Sequence, residues 1–296
     1  MMRRLALVTS VLAFTATTAL ADAPKRVLSV GGSVTETVFA LGAGNSVIAV
    51  DQTSYYPLEE TKKLPNVGYV RSLAAEGLLS LKSDLLLAGP EAGPPQILDQ
   101  VQQAGLKVVQ LSMGYSPKLT LKHINDIGAA LDRKAEAEAL TITLAQDLAT
   151  VQAEIAKTPS HPRVLFLLAA GRGAPMAGGK GTAADAMITL AGGINAAAEI
   201  HGYKPMSPEA AIGAQPEILL MMSQTVDALG GKEAIYALPE LSQLPAIRNK
   251  RLIVLDGLYS LGFGPRLAHA LHDLAVEFHP ETNFPPLPER AWTKTK

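Results

Sequence analysis

The sequence predicts an α/β protein of two βα lobes joined by one long backbone helix, with a ligand cleft between the lobes. Three observations carry this. Short aliphatic runs alternate with helical stretches and glycine-rich turns in both halves of the chain. Between the halves, from about Leu119 to Lys157, the chain reads as helix almost without a break; Gly128 is its only glycine and no proline occurs until Pro159. Third, the run from Glu76 through Asp84 to Leu87 recurs from Glu209 through Glu217 to Leu220. In both, an acid opens a short amphipathic helix, a second acid follows eight residues on, and an aliphatic strand comes next.

In order along the chain, Leu5–Leu20 is an uncharged apolar run behind Arg3 and Arg4, and Ala19-Leu20-Ala21 is a small-x-small cleavage site. Residues 1–21 therefore read as a secretion signal. The first lobe is expected over residues 24–118. Arg26–Val30 is a strand ending in Gly31-Gly32, and Ser33 with Glu36 reads as a capping box for a helix that stops at Gly42. Strands follow at Val47–Val50, Asp84–Ala88 and Lys107–Leu111, with helices at Glu76–Leu81 and Gln96–Ala104. Residues 119–158 form the connecting helical region, where Arg133–Lys157 alone spans roughly 37 Å. The second lobe is expected over 161–296. It has strands at Arg163–Leu168, Ile218–Met222 and Leu252–Leu255, helices at Thr182–Leu190, Pro208–Ala214 and near Ile235, and a last helix that starts after Pro265 and runs to about Phe278.

Composition narrows the function. Lys and Arg number 26 against 27 Asp and Glu, with no basic run, which disfavours nucleic acid. The chain has no cysteine, which excludes disulfides, thiolate metal sites and a cysteine-linked lipid anchor. About 270 residues remain after the signal, enough for two ordinary cores. The expected location is the periplasm.

Catalytic patterns find no support. Gly173–Lys180 resembles a phosphate loop, but an extra glycine displaces the lysine and Gly181 replaces the required hydroxyl residue. There is no HExxH helix and no Gly-x-Ser-x-Gly elbow. The six histidines lack close ligand spacing; His269 and His272 can share a helix face, a slim basis for a metal site. Tyr55, Tyr56 and Tyr69 all follow strand ends, where open α/β sheets bind ligands. A phenolate suits ferric iron and is a haem axial ligand. A free phenol ionises near pH 10, so it needs a metal or a cation such as Arg71 nearby. By residue chemistry alone, a tyrosine that only packs its ring and donates its hydroxyl is the simpler reading of Tyr69. Glu76 and Glu209 are likewise ordinary first-turn acids one at a time; as a matched pair they offer two contacts to a symmetric partner.

Taken together, the segments Arg26–Glu36, Leu64–Gly77, Gly181–Asp185, Gly202–Ala210 and Gly262–Arg266 resemble the periplasmic haem-binding proteins of bacterial haem-uptake ABC transporters. These lie within the wider cluster of helical-backbone binding proteins for cobalamin and siderophores. The specific part is Val67-Gly68-Tyr69-x-Arg71-x-Leu73-x-Ala75-Glu76-Gly77. The resemblance implies a non-enzymatic carrier of ferric haem, with Tyr69 as axial ligand to the iron and Arg71 beside the haem. It implies that Glu76 and Glu209 engage a dimeric inner-membrane ABC permease with its ATPase, the haem arriving from an outer-membrane receptor. Arg266 and Tyr56 are further candidates for the haem pocket or its propionates.

One departure matters. Some members of that family place a second-lobe histidine just after the strand matching Val164–Leu168, where this chain has Ala169-Ala170-Gly171-Arg172. Tyr69 is then expected to be the sole protein ligand from these motifs, with Arg172 supplying charge and Met176 contacting the macrocycle. Cobalamin or a ferric siderophore is the alternative cargo, and a metal-dependent periplasmic enzyme the alternative from another class.

Overall fold

A computed structural model describes residues 23–171 and 173–294. The proposed signal, with Arg3, Arg4 and its cleavage site, lies outside the described residues, as does Arg172. The first lobe contains β1 (Val27–Val30), α1 (Gly32–Ala40), β2 (Val47–Val50), α2 (Leu58–Thr61), α3 (Ala75–Ser80), β3 (Leu85–Ala88), α4 (Pro95–Gln103) and β4 (Lys107–Gln110). Two helices follow, α5 (Pro117–Ala130) and α6 (Lys134–Ile155). The second lobe begins with β5 (Arg163–Ala169), β6 (Met176–Gly178), α7 (Ala183–Leu190), β7 (Ile194–Asn195), β8 (Tyr203–Pro205) and α8 (Pro208–Gly213). It continues with β9 (Ile218–Met222), α9 (Ser223–Ala228), α10 (Lys232–Tyr236), α11 (Pro245–Arg248), β10 (Leu252–Leu255), α12 (Gly257–Leu261) and α13 (Leu267–Phe278).

The first sheet is wholly parallel in the order β2-β1-β3-β4. Its central strands are buried along their whole length, which is why they read as continuous aliphatic runs. The second sheet runs β10-β9-β5-β6-β8, with β7 also on β5. Here β9, β10 and β7 are parallel neighbours, while β6 enters antiparallel to both β5 and β8. The expected mostly parallel sheet therefore holds for one lobe and is mixed in the other.

The connecting region is two helices, not one. The chain turns at Asp132, whose φ is +58°, and α5 folds back against α6. Gly128 permits this, because a Cβ there would overlap the Ala137 methyl on α6. The α6 helix keeps its backbone role at 22 residues, about 33 Å. Its stripe of Ala137, Leu140, Leu144, Leu148, Val151 and Ile155 is buried. One continuous core joins that stripe to Val27 and Leu85 of the first sheet, Phe166 of the second and Leu271 of α13. Smaller cores lie on the outer faces of the two sheets.

The expected capping box is absent. α1 starts at Gly32, inside which Ser33 already lies, and Thr35 N donates to Gly31 O at 3.0 Å. Glu36 faces the interior instead and is 3% exposed.

Candidate functional site

The recurrence seen in the sequence is a repeat of geometry. Asp84 Oδ2 accepts from Arg26 N at 2.9 Å, and Glu217 Oε1 accepts from Arg163 N at 3.0 Å. In each lobe the acid's own N–H donates back at 2.8 Å, to Arg26 O or Arg163 O. The arginine Nε then donates to the end of the preceding helical turn, Lys82 O at 3.0 Å or Ala214 O at 2.8 Å. Lys82 and Gln215 share a φ of +48°. The second acid of each copy therefore locks a helix–strand junction onto the first strand of its lobe. The first acids, Glu76 and Glu209, are left exposed in the first turns of α3 and α8. Hydrogen bonding to its own backbone N–H and to Ser207 holds the Glu209 carboxyl below the usual carboxylate range.

The carboxyl ends of the two sheets face each other. Asp51, at the end of β2, is 1% exposed and accepts from Gly31 N (2.7 Å), Thr53 N (2.8 Å), Thr53 Oγ1 (2.6 Å) and Ser54 Oγ (2.5 Å). That network aims the next residues across the gap. The Tyr55 hydroxyl donates to Asp256 Oδ2 at 3.1 Å and accepts from Leu258 N at 2.7 Å and Gln224 Nε2 at 2.9 Å, all in the second lobe. Burial and then the Asp256 carboxylate push its phenol pKa upward. Tyr55 is thus a clasp between lobes.

Tyr56 and Arg266 depart from their expected pocket roles. The Tyr56 hydroxyl donates to Trp292 O at 3.1 Å and to Lys294 O at 3.0 Å, in the C-terminal segment. Its ring lies 3.6 Å from the Arg266 guanidinium, with Tyr259 at 5.1 Å. Arg266 makes a two-pronged pair with Glu36, Nε–Oε1 at 2.9 Å and Nη2–Oε2 at 3.0 Å. Arg266 is 8% exposed and its Nε/Nη2 edge is committed to Glu36, so its main partner is a carboxylate of the protein. The same segment occupies His269 and His272, whose Nε2 atoms each donate to a carbonyl, Pro288 O and Pro285 O, at 3.1 Å.

Tyr69 is different. Its loop is pinned on both sides: Val67 N donates to Val50 O (2.9 Å), Gly93 N to Val70 O (2.9 Å) and Leu73 N to Gly93 O (2.9 Å). Val70 and Leu73 are buried, while Tyr69 between such anchors is 45% exposed. Gly68 takes a φ of +99°, a turn that a side chain would strain. Arg71 Nη2 meets Glu91 Oε2 at 2.8 Å, and Tyr115 donates to Glu91 Oε1 at 2.5 Å. Glu91, in the loop after β3, thereby ties the α2–α3 loop to the loop that follows β4. The Tyr115 ring packs on Phe263 with centroids 5.4 Å apart. Tyr203 of β8 packs edge-on to Phe166 with centroids 6.3 Å apart, and its phenol pKa is raised first by burial and next by the Glu91 carboxylate. Met176 opens β6 and is half-buried.

The sequence reading missed Glu91, Tyr115 and Tyr203. Glu91 had a usable signal, since Gly89-Pro-Glu-Ala-Gly93 is a rigid loop beyond a strand's carboxyl end. Tyr115 had the same signal, a loop beyond the carboxyl end of β4, which pairs with β3; Tyr203 carried none, because it belongs to the other lobe.

The chain is similar in structure to a periplasmic heme-binding protein, RhuT of Roseiflexus sp. RS-1 in apo form. The TM-score is 0.83 at 40% identity, covering 86% of this chain and 98% of that one. In sequence it is 29% identical over 263 residues to an uncharacterized ABC transporter substrate-binding lipoprotein, YvrC of Bacillus subtilis strain 168, across 88% of this chain and 81% of that protein. It is 25% identical to a vitamin B12-binding protein of Vibrio vulnificus strain CMCP6, across 86% of this chain and 90% of that one. Residues 27–259 match the periplasmic binding protein family, so the two lobes, the helical backbone and the facing strand ends are those of a solute-binding protein, and the chain belongs to that family.

Proposed function

We propose that this chain is an exported solute-binding protein that captures ferric haem between its lobes and delivers it to an inner-membrane ABC importer. The observation that carries the reading is Tyr69: an exposed phenol on a pinned loop, with a guanidinium two residues on, at the carboxyl ends of the sheet. Phenolate is a hard anionic ligand matched to ferric iron. The likeness to the Roseiflexus protein supports haem as the cargo. Glu76 and Glu209 occupy equivalent places in the two lobes, as contact with a two-fold permease requires.

Cobalamin is the second reading, favoured by the Vibrio relative. Its cobalt carries its own ligands and needs no protein phenolate, so it leaves the exposure of Tyr69 unexplained. Titrating the purified chain with hemin and, separately, with cyanocobalamin decides between them. Saturable one-to-one or two-to-one hemin binding with no cyanocobalamin binding is expected. The reverse pattern would transfer the cargo assignment to cobalamin.

A further inference from the structure

Ligating iron through Tyr69 requires no carboxylate nearby, yet the site contains one. We propose that Glu91 is an internal competitor for Arg71: it holds the guanidinium until a carboxylate of the cargo displaces it, and takes it back as the cargo leaves. This deepens the haem-capture reading and rests on it.

Three features of Glu91 point this way. Its Oε2 is on Arg71 at 2.8 Å, so the guanidinium two residues from Tyr69 has a carboxylate partner within the protein. Side-chain exposures of 49% for Arg71 and 33% for Glu91 keep the pair in contact with water. A pair of this kind is weak, so one carboxylate replaces another at little cost. Its other oxygen, Oε1, is held by Tyr115 at 2.5 Å. Burial and the bond to Glu91 raise the Tyr115 phenol, so Tyr115 stays a donor. The freed carboxylate thus keeps its place and a hydrogen bond while Arg71 is engaged elsewhere, and is positioned to recapture it. Haem carries two carboxylates on flexible arms, which suits this exchange. A competitor built into the site lowers affinity and speeds release, as a carrier that must hand over its cargo requires.

The test compares hemin with hemin dimethyl ester, which keeps the ring and iron but has no free carboxylate. Glu91→Gln should bind hemin about fivefold more tightly, mainly through slower dissociation. Its affinity for the ester should stay within about twofold of the parent protein's. Glu91→Asp, which keeps the charge but withdraws it from Arg71, should shift hemin in the same direction by less; it carries the test if the glutamine variant does not fold. Weaker hemin binding in either variant, or equal changes for acid and ester, would overturn the role of Glu91. If the unaltered protein gives no ferric tyrosinate spectrum with hemin, the haem-capture reading itself has failed; an intact spectrum with no effect at Glu91 sinks this inference alone.

Discussion

Tyr69 and Glu36 show how far a residue's type reveals its use. The loop position of Tyr69 was legible, because Gly68 and the strand end before it mark a turn, and the residue is 45% exposed; its use at the iron is the proposal. Glu36 was misread: its spacing from Ser33 suggested a cap, and only the folded chain brings it to Arg266, 230 residues away. Arg266 was misread for the same reason, since a motif shows a guanidinium but not its partner. The pair is buried, so removing one member strands the other's charge. Glu36→Gln is expected to destabilise the protein by about 3–5 kcal/mol in urea unfolding. Tyr69→Phe, at an exposed position, should change stability by less than about 0.5 kcal/mol. If Glu36→Gln left stability unchanged, the role assigned to this pair in joining the lobes would be wrong.

At the scale of elements, seven of the ten strands and most of the longer helices follow from periodicity and glycine punctuation, and their ends agree to within a residue or two; the short strands β6, β7 and β8 were missed, being two or three residues each. The break between α5 and α6 was missed because Leu131-Asp132-Arg133 contains neither glycine nor proline; the left-handed turn falls on an aspartate. The cue was Gly128, whose missing side chain lets the two helices close on each other. Gly128→Val should force them apart and cost about 1–3 kcal/mol, read by urea unfolding. The paired junctions at Asp84 and Glu217 form a second element-scale device. Asp84→Ala and Glu217→Ala should each cost about 1 kcal/mol, because each removes the acceptor of its lobe's strand-start N–H; Asp84 Oδ2 accepts from Lys25 N as well. A large difference between them would contradict the equivalence of the repeats.

For the whole molecule, three ties limit relative movement of the lobes. α6 shares a continuous core with both sheets, Tyr55 bonds Asp256 and Gln224, and Arg266 joins Glu36. Capture should therefore involve a small hinge motion; a large rotation between empty and hemin-bound structures would contradict this. The same rigidity keeps Glu76 and Glu209 at a fixed separation for a two-fold partner. Charge reversal at both, to Lys, should abolish transport in reconstituted permease vesicles while leaving hemin affinity unchanged. Loss of hemin affinity in that variant would place the acids in the cargo site instead. The sequence showed that two acids recur; it could not show that the second acid of each copy is structural and the first one free.

If the iron of captured haem sits on Tyr69, the absorption spectrum of the hemin complex will show it. The unaltered protein should show the charge-transfer bands of a high-spin ferric tyrosinate. In Tyr69→Phe these bands should vanish, and affinity should fall by at least about tenfold, or ~1.4 kcal/mol. An unchanged spectrum in Tyr69→Phe would contradict the assignment.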